Sequence, residues 1–219
     1  EPRVQGASGM AMVRPAFLRQ VEQRVRAAGA LLIADEVLTG FGRCGELFAC
    51  QQAGIRPDLM ALSKGLTGGF LPMGVTLASE RLYAGFIDED PSHTLFHGHS
   101  FTANPLGCAA ALASLDLLEA SPERHRGMEA RHRPYLEALV GHRLVRRPRL
   151  LGCIAAFDLA VDNPGYLNPV GRQLQRRLLE QGVFLRPLGE VVYLLPPLCI
   201  DDDQLAHCYA AIAAALEHI

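Results

Sequence analysis

Two short apolar runs constrain this chain more than any other feature. ALLIADEV (30–37) and LMALS (59–63) each have the length and apolar character of a buried strand, and each closes on a polar side chain, Asp35 in the first and Lys64 directly after the second. Strands of this kind belong to the parallel sheets of α/β folds, where ligands collect outside the carboxyl ends. The 29 residues between Asp35 and Lys64 leave room for one loop and the second strand. Ahead of the first run, Phe17, Leu18, Val21, Val25 and Ala28 recur at spacings of three and four, and Gly29 follows, which predicts an amphipathic helix over 16–28.

The two polar ends suit one chemistry. A lysine that ends an apolar stretch and leads into glycines can capture an aldehyde cofactor covalently, and a carboxylate facing a pyridine nitrogen keeps that ring protonated and able to accept electrons. Lys64 and Asp35 together therefore point to a pyridoxal 5'-phosphate (PLP) site. Apolar neighbours would also desolvate Lys64 and favour its neutral, nucleophilic form. Plainer readings exist for both: a solvated loop lysine, and an Asp35-Glu36 pair that caps a helix or binds a metal. The glycines after Lys64 do not make a nucleotide-binding phosphate loop, because there the lysine follows the glycines.

Further elements can be placed by pattern. Residues 73–78 read as a short strand, and Asn104-Pro105 starts a helix through Glu119 with cap and first-turn chemistry. The alanines of that helix suit close packing against a sheet or a subunit. Near Ala120-Ser121-Pro122 the composition turns charged, which suggests two domains, 1–120 and 121–219. In the second we expect a strand over 150–159, a helix from Asn168-Pro169 to Gly182, a hairpin of 183–187 and 191–195 turning at Gly189-Glu190, and a last helix opened by Asp201-Asp202-Asp203.

Composition narrows the class. With 49% hydrophobic residues and a formal charge of −2 over 219 residues, the chain can bury a core, and no basic excess points to nucleic acid. No apolar run reaches the roughly 18 residues of a membrane span. Six cysteines lie scattered without metal-site spacing and read as reduced, cytoplasmic thiols that mostly fill the core. His93, His97 and His99 lack a nearby carboxylate or cysteine at ligand spacing, so no metal is expected.

The segments EPRVQGASGM, LLIADEVLTGFGRCGELFAC, PDLMALSKGLTGGFLPMGVTLAS, HGHSFTANPLGCAAALASL and GVFLRPLGEVVYLLPP resemble, in the same order, the class III (subgroup II) aminotransferases of PLP fold type I. The resemblance implies an α/β fold: part of a large domain with a mostly parallel sheet, plus a smaller α+β domain. It implies PLP on Lys64, Asp35 at the ring nitrogen, and a homodimer.

Within that family the branch that makes 7,8-diaminononanoate for biotin is most similar. Many relatives place an arginine before the Pro-Pro pair, whereas this branch has tyrosine there, here Tyr193, and an arginine seven residues earlier, here Arg186. Resemblance then implies that Arg186 binds the carboxylate of 8-amino-7-oxononanoate, a task its planar fork suits better than a lysine would. S-adenosylmethionine is the implied amino donor, with lysine used by some relatives. The run His97-Gly98-His99-Ser100 matches His-Gly-Pro-Thr: Gly98 would line the substrate site, and His99 and Ser100 would contact the cofactor phosphate across a dimer interface. Ser100 keeps the hydroxyl, while His99 departs from the proline. Two other readings stay open: a class III ω-aminotransferase of the 4-aminobutyrate or diamine type, and a non-catalytic PLP-binding fragment. The first residues match a motif that family members carry near mid-chain, so the chain looks truncated, with the phosphate cup and the ring-stacking aromatic upstream.

Overall fold

A computed structural model describes residues 1–219. Two short strands, β1 (Val4–Gln5) and β2 (Ala11–Met12), precede helix α1 (Pro15–Ala27), whose Pro15 sits in the first turn, where its missing N–H has no partner to lose. The helix lies where its period predicts, yet none of its residues is buried: Leu18, Val21 and Val25 are half-buried and Phe17 is exposed. Next come β3 (Ile33–Asp35), α2 (Ala49–Ala53), β4 (Leu59–Leu62), β5 (Val75–Ala78), α3 (Glu80–Tyr83) and α4 (Pro105–Ala120). The sheet runs β3-β4-β5, with β3 and β4 parallel and β5 antiparallel to β4. Asn104 caps α4 through its side-chain oxygen, which accepts from the Leu106 N–H at 2.9 Å.

Asp58, just before β4, ties several elements together. Its carboxylate accepts from the Leu32 N–H and from Arg26 and Arg81, and these partners hold its pKa down at about 2. A small core of Phe41, Leu62, Leu66 and Ala111 seats α4 beside the chain that leaves β4.

Chain contacts divide the molecule into two units, the first Glu1–Val4, Val13–Phe41 and Glu46–Ser121, the second Gln5–Met12, Gly42–Gly45 and Pro122–Ile219. The second unit contains α5 (Pro122–Arg126), α6 (Met128–Leu139), β6 (Val145–Leu151), β7 (Ile154–Leu159), α7 (Val170–Glu180), β8 (Val191–Leu194) and α8 (Asp202–Leu216). Its antiparallel sheet has the order β6-β7-β8. Every residue of β7 is buried. Phe157 packs there with Leu174 and Leu178 of α7, Val192 of β8 and Leu205, Ile212 and Leu216 of α8, all fully buried.

Two sequence expectations need correction. The strand expected over 150–159 is instead the hairpin of β6 and β7, folded at Gly152-Cys153. Apolar residues flank that turn on both sides, so it carries no polar punctuation. The arm expected over 183–187 is not a strand: Pro187 has no N–H to donate, and β8 pairs with β7. The turn at Gly189-Glu190 does form, closed by mutual backbone bonds between Leu188 and Val191, with Gly189 in the left-handed region. The aspartate triplet opens α8 as a cap: Asp201 accepts from the Gln204 N–H at 2.7 Å, and the Gln204 side chain returns a bond to the Asp201 N–H.

His132 of α6 is fully buried, with Nδ1 2.8 Å from the Tyr209 hydroxyl of α8 and Nε2 without a partner. Burial, helped by the charge of Arg131, pulls its pKa from 6.5 down to about 4. The folded state therefore disfavours the protonated imidazole, and stability present above pH 6.5 is lost as pH falls toward 4. That drop is about 3 kcal/mol. Urea unfolding at pH 7 and pH 4.5 should show it in the wild type. In His132→Gln this component should be missing, and equal acid sensitivity in both proteins would contradict the assignment.

Candidate active site

The register of the parallel pair sets Asp35 against Ala61, and the backbone N–H of Glu36 extends the ladder to the Ala61 carbonyl at 2.9 Å. Lys64 follows three positions beyond Ala61. Both side chains thus leave the sheet at the carboxyl ends of neighbouring parallel strands. Lys64 opens a 3-10 turn with φ 45°, a left-handed conformation that a residue with a Cβ adopts at a cost of about 1–2 kcal/mol. The surroundings fix it there. Ser63 Oγ donates to the Met73 carbonyl at 2.6 Å, Ser114 Oγ donates to the Gly65 carbonyl at 3.0 Å, and the Gly69 N–H reaches the Lys64 carbonyl at 3.2 Å. Gly65 is required sterically, since a Cβ there would lie 2.8 Å from the Phe41 Cβ.

Lys64 and Asp35 are both exposed, so the desolvation expected from the apolar neighbours of Lys64 does not occur; the lysine sits past the strand, on the turn. Asp35 Oδ1 accepts the Val37 N–H at 3.0 Å, while Oδ2 and the Lys64 amine have no protein partner. An amine for an aldehyde and a free carboxylate oxygen for a ring N–H, at the carboxyl ends of adjacent parallel strands, fit what PLP requires.

Sequence reasoning passed over Glu36 as part of the site. It is fully buried, and its carboxylate accepts from the Thr39 hydroxyl at 2.5 Å, the Ala49 N–H at 3.0 Å and the Cys50 N–H at 2.7 Å. Glu36 thereby caps α2 and ties the loop after Asp35 back to the strand end. The plain helix-cap reading of the acidic pair thus applies to Glu36 and not to Asp35. The partner segment lies 13 residues on, a distance at which sequence gives no signal. Burial and the adjacent Glu36 carboxylate push the Cys50 thiol up to about 12, which makes it inert filling. None of the six cysteines is in a disulfide; Cys44, Cys50 and Cys153 are buried, and Cys199 is exposed.

Gly98, His99 and Ser100 lie in an exposed stretch between β5 and α4, and no hydrogen bond joins them to Asp35 or Lys64. The His99 N–H donates to Thr102 Oγ1 at 3.0 Å, a bond that proline could not make, and His99 Nδ1 accepts the Phe101 N–H at 3.1 Å. Histidine therefore stiffens this loop by hydrogen bonds in place of a ring-locked φ. No group of three or more His, Cys, Asp or Glu side chains is placed to hold a metal.

In the second unit, Arg186 is exposed and pairs with no carboxylate of the chain. Tyr193 is half-buried on β8 opposite Ala156. The turn between them is tightly built: a Cβ on Gly171 would lie 2.2 Å from the Gly189 carbonyl oxygen.

A sheet that ends in this aspartate and lysine, joined to an α+β unit with a buried antiparallel sheet, defines the class. Residues 1–216 match the family model for aminotransferase class-III, and the chain belongs to that family. Among individual relatives, it is 58% identical over 219 residues to the adenosylmethionine-8-amino-7-oxononanoate aminotransferase of Synechococcus elongatus, covering 100% of this chain and 52% of the relative. It is 42% identical to the enzyme of the same name from Geobacter sulfurreducens, covering 94% of this chain and 47% of the relative. The crystal structure of the same-named enzyme from Methanocaldococcus jannaschii superposes with a TM-score of 0.91 at 32% identity, over 98% of this chain and 52% of that one. The chain spans about half the length of the curated relatives it matches. No helix is long and apolar enough to cross a membrane.

Proposed function

We propose that the chain carries the cofactor lysine of a PLP-dependent transaminase of biotin synthesis, which transfers an amino group from S-adenosylmethionine to 8-amino-7-oxononanoate to give 7,8-diaminononanoate. The observation that carries this is the pair of unpartnered groups, Lys64 Nζ and Asp35 Oδ2, at the ends of adjacent parallel strands. When bound, PLP supplies an electron sink for the carbon that bears the amine. Lys64 would hold the cofactor aldehyde, and its amine would carry the proton to and from the substrate carbon. Asp35 Oδ2 would accept the ring N–H and keep the ring cationic. Ser100 and His99 would hold the phosphate across a dimer interface, and Gly98 would leave room for substrate.

Arg186, unpaired within the chain, binds the substrate carboxylate by its planar fork. Tyr193 stands where an α-carboxylate arginine would otherwise be. That substitution, with the 58% identity to the Synechococcus elongatus enzyme, favours this reaction over a 4-aminobutyrate or diamine transaminase. Exposed Leu106, Leu112 and Leu117 along α4 support a homodimer, and six cysteines outside any disulfide support a cytoplasmic setting.

Both substrates use one site in turn, so initial rates with S-adenosylmethionine and 8-amino-7-oxononanoate should give parallel double-reciprocal lines. Intersecting lines would rule the scheme out.

A further inference from the structure

The stretch 183–190 carries Arg186 but belongs to no strand. Without a sheet ladder, other contacts must fix the backbone from which that guanidinium projects. Three are present. Leaving α7, the Val183 N–H bonds the Leu178 carbonyl at 2.9 Å. At the turn, Glu190 Oε2 accepts the Gly165 N–H at 2.7 Å. Between them, Gln175 Nε2 donates to the Leu185 carbonyl at 2.8 Å, one peptide unit before Arg186.

The bonds at Val183 and Glu190 fix the ends of the stretch; only the Gln175–Leu185 bond grips its middle. Pro187 contributes no N–H, and Leu188 is engaged with Val191. Gln175 is half-buried on α7, a helix anchored by fully buried Leu174 and Leu178, so the donor is held from a rigid element.

The geometry points to Gln175 as a positioning residue for carboxylate recognition by Arg186, and this rests on the reading of Arg186 given above. A bidentate contact tolerates little displacement of the guanidinium plane. Loss of the Gln175 donor frees the Leu185 carbonyl and lets the backbone next to Arg186 drift, which weakens binding of the acid without touching the chemistry at Lys64.

The test uses the holoenzyme with 8-amino-7-oxononanoate and its methyl ester as acceptors, and Gln175→Met, Gln175→Glu and Arg186→Ala as variants. Gln175→Met keeps length and helix preference but removes the donor. The expected result is a KM for the acid raised about fivefold, the scale of one lost hydrogen bond, with kcat and the KM for the ester within twofold of wild type. Gln175→Glu, which also lacks the donor and keeps side-chain length and polarity, should behave alike and carries the comparison if the methionine variant does not fold. In Arg186→Ala the preference for acid over ester should vanish. An unchanged KM for the acid, or equal rises for acid and ester, would overturn the positioning role alone. An Arg186→Ala enzyme that still prefers the acid would overturn the reading of Arg186 and the positioning role with it.

Discussion

Replacing Lys64 with alanine should lower transamination by about 10³-fold or more, because it removes both the covalent anchor and the proton carrier, each a large contributor to such a reaction. The variant should fold normally, since the Lys64 side chain makes no hydrogen bond or ion pair within the chain and alanine removes none of the hydrogen bonds that hold the turn. Lys64→Arg provides the control for charge. A guanidinium stays protonated and cannot attack an aldehyde, so this variant should be as inactive as the alanine. Borohydride reduction of the PLP-loaded protein, followed by peptide mapping, should leave the label on the peptide containing Lys64 and nowhere in Lys64→Ala. A label elsewhere, or an arginine variant with a tenth of wild-type activity, would remove Lys64 from its assigned place.

The second large effect concerns stability. Gly152→Ala should cost on the order of 4 kcal/mol, combining strain at a left-handed residue with overpacking. Gly152 has φ 56°, and a Cβ there would lie 2.5 Å from the Cys44 carbonyl carbon, 2.6 Å from the Arg43 oxygen and 2.6 Å from the Gly45 nitrogen. All three are backbone atoms, which cannot step aside as a flexible side chain can. The turn is also gripped by the Cys153 N–H on the Arg43 carbonyl and by Glu129, which accepts the Gly152 N–H, both at 3.0 Å. Gly54→Ala isolates the strain alone: φ is 67° and nothing lies within 4 Å of the added atom, so about 1 kcal/mol is expected. Thermal melts should separate the two by roughly 10 °C. Equal melting points would show that the hairpin relaxes around the methyl group.

Much of this was legible in the chain itself, for identifiable reasons. Local signals sufficed where the physics is local: the period of α1, the Asn104-Pro105 start of α4, and the Asp201 cap of α8 all fall where expected. The apolar runs ending at Asp35 and before Lys64 did become parallel neighbours. What could not be read depends on distant partners. Glu36 looked like half of an acidic pair because its three partners come from residues 39, 49 and 50. The β6–β7 turn was hidden because Gly152-Cys153 lies inside an apolar run and is fixed by Arg43 and Glu129 from elsewhere in the chain. Arg186 was placed in a strand by its apolar neighbours, and only the structure shows a side chain of α7 holding that stretch instead.

The division of the chain has an evolutionary consequence. The path passes between the units at Val4/Gln5, Met12/Val13, Phe41/Gly42, Gly45/Glu46 and Ser121/Pro122, so the second unit is assembled from three separate pieces of sequence. Its C-terminal piece is not a cassette. A gene segment encoding only 122–219 would lack Gly42–Gly45, the seat of the Gly152 turn, and the Gly9 and Met10 carbonyls that Arg149 grips. Recombination at the apparent linker would therefore yield an incomplete product, and shuffling can exchange this region only together with the stretches that precede it.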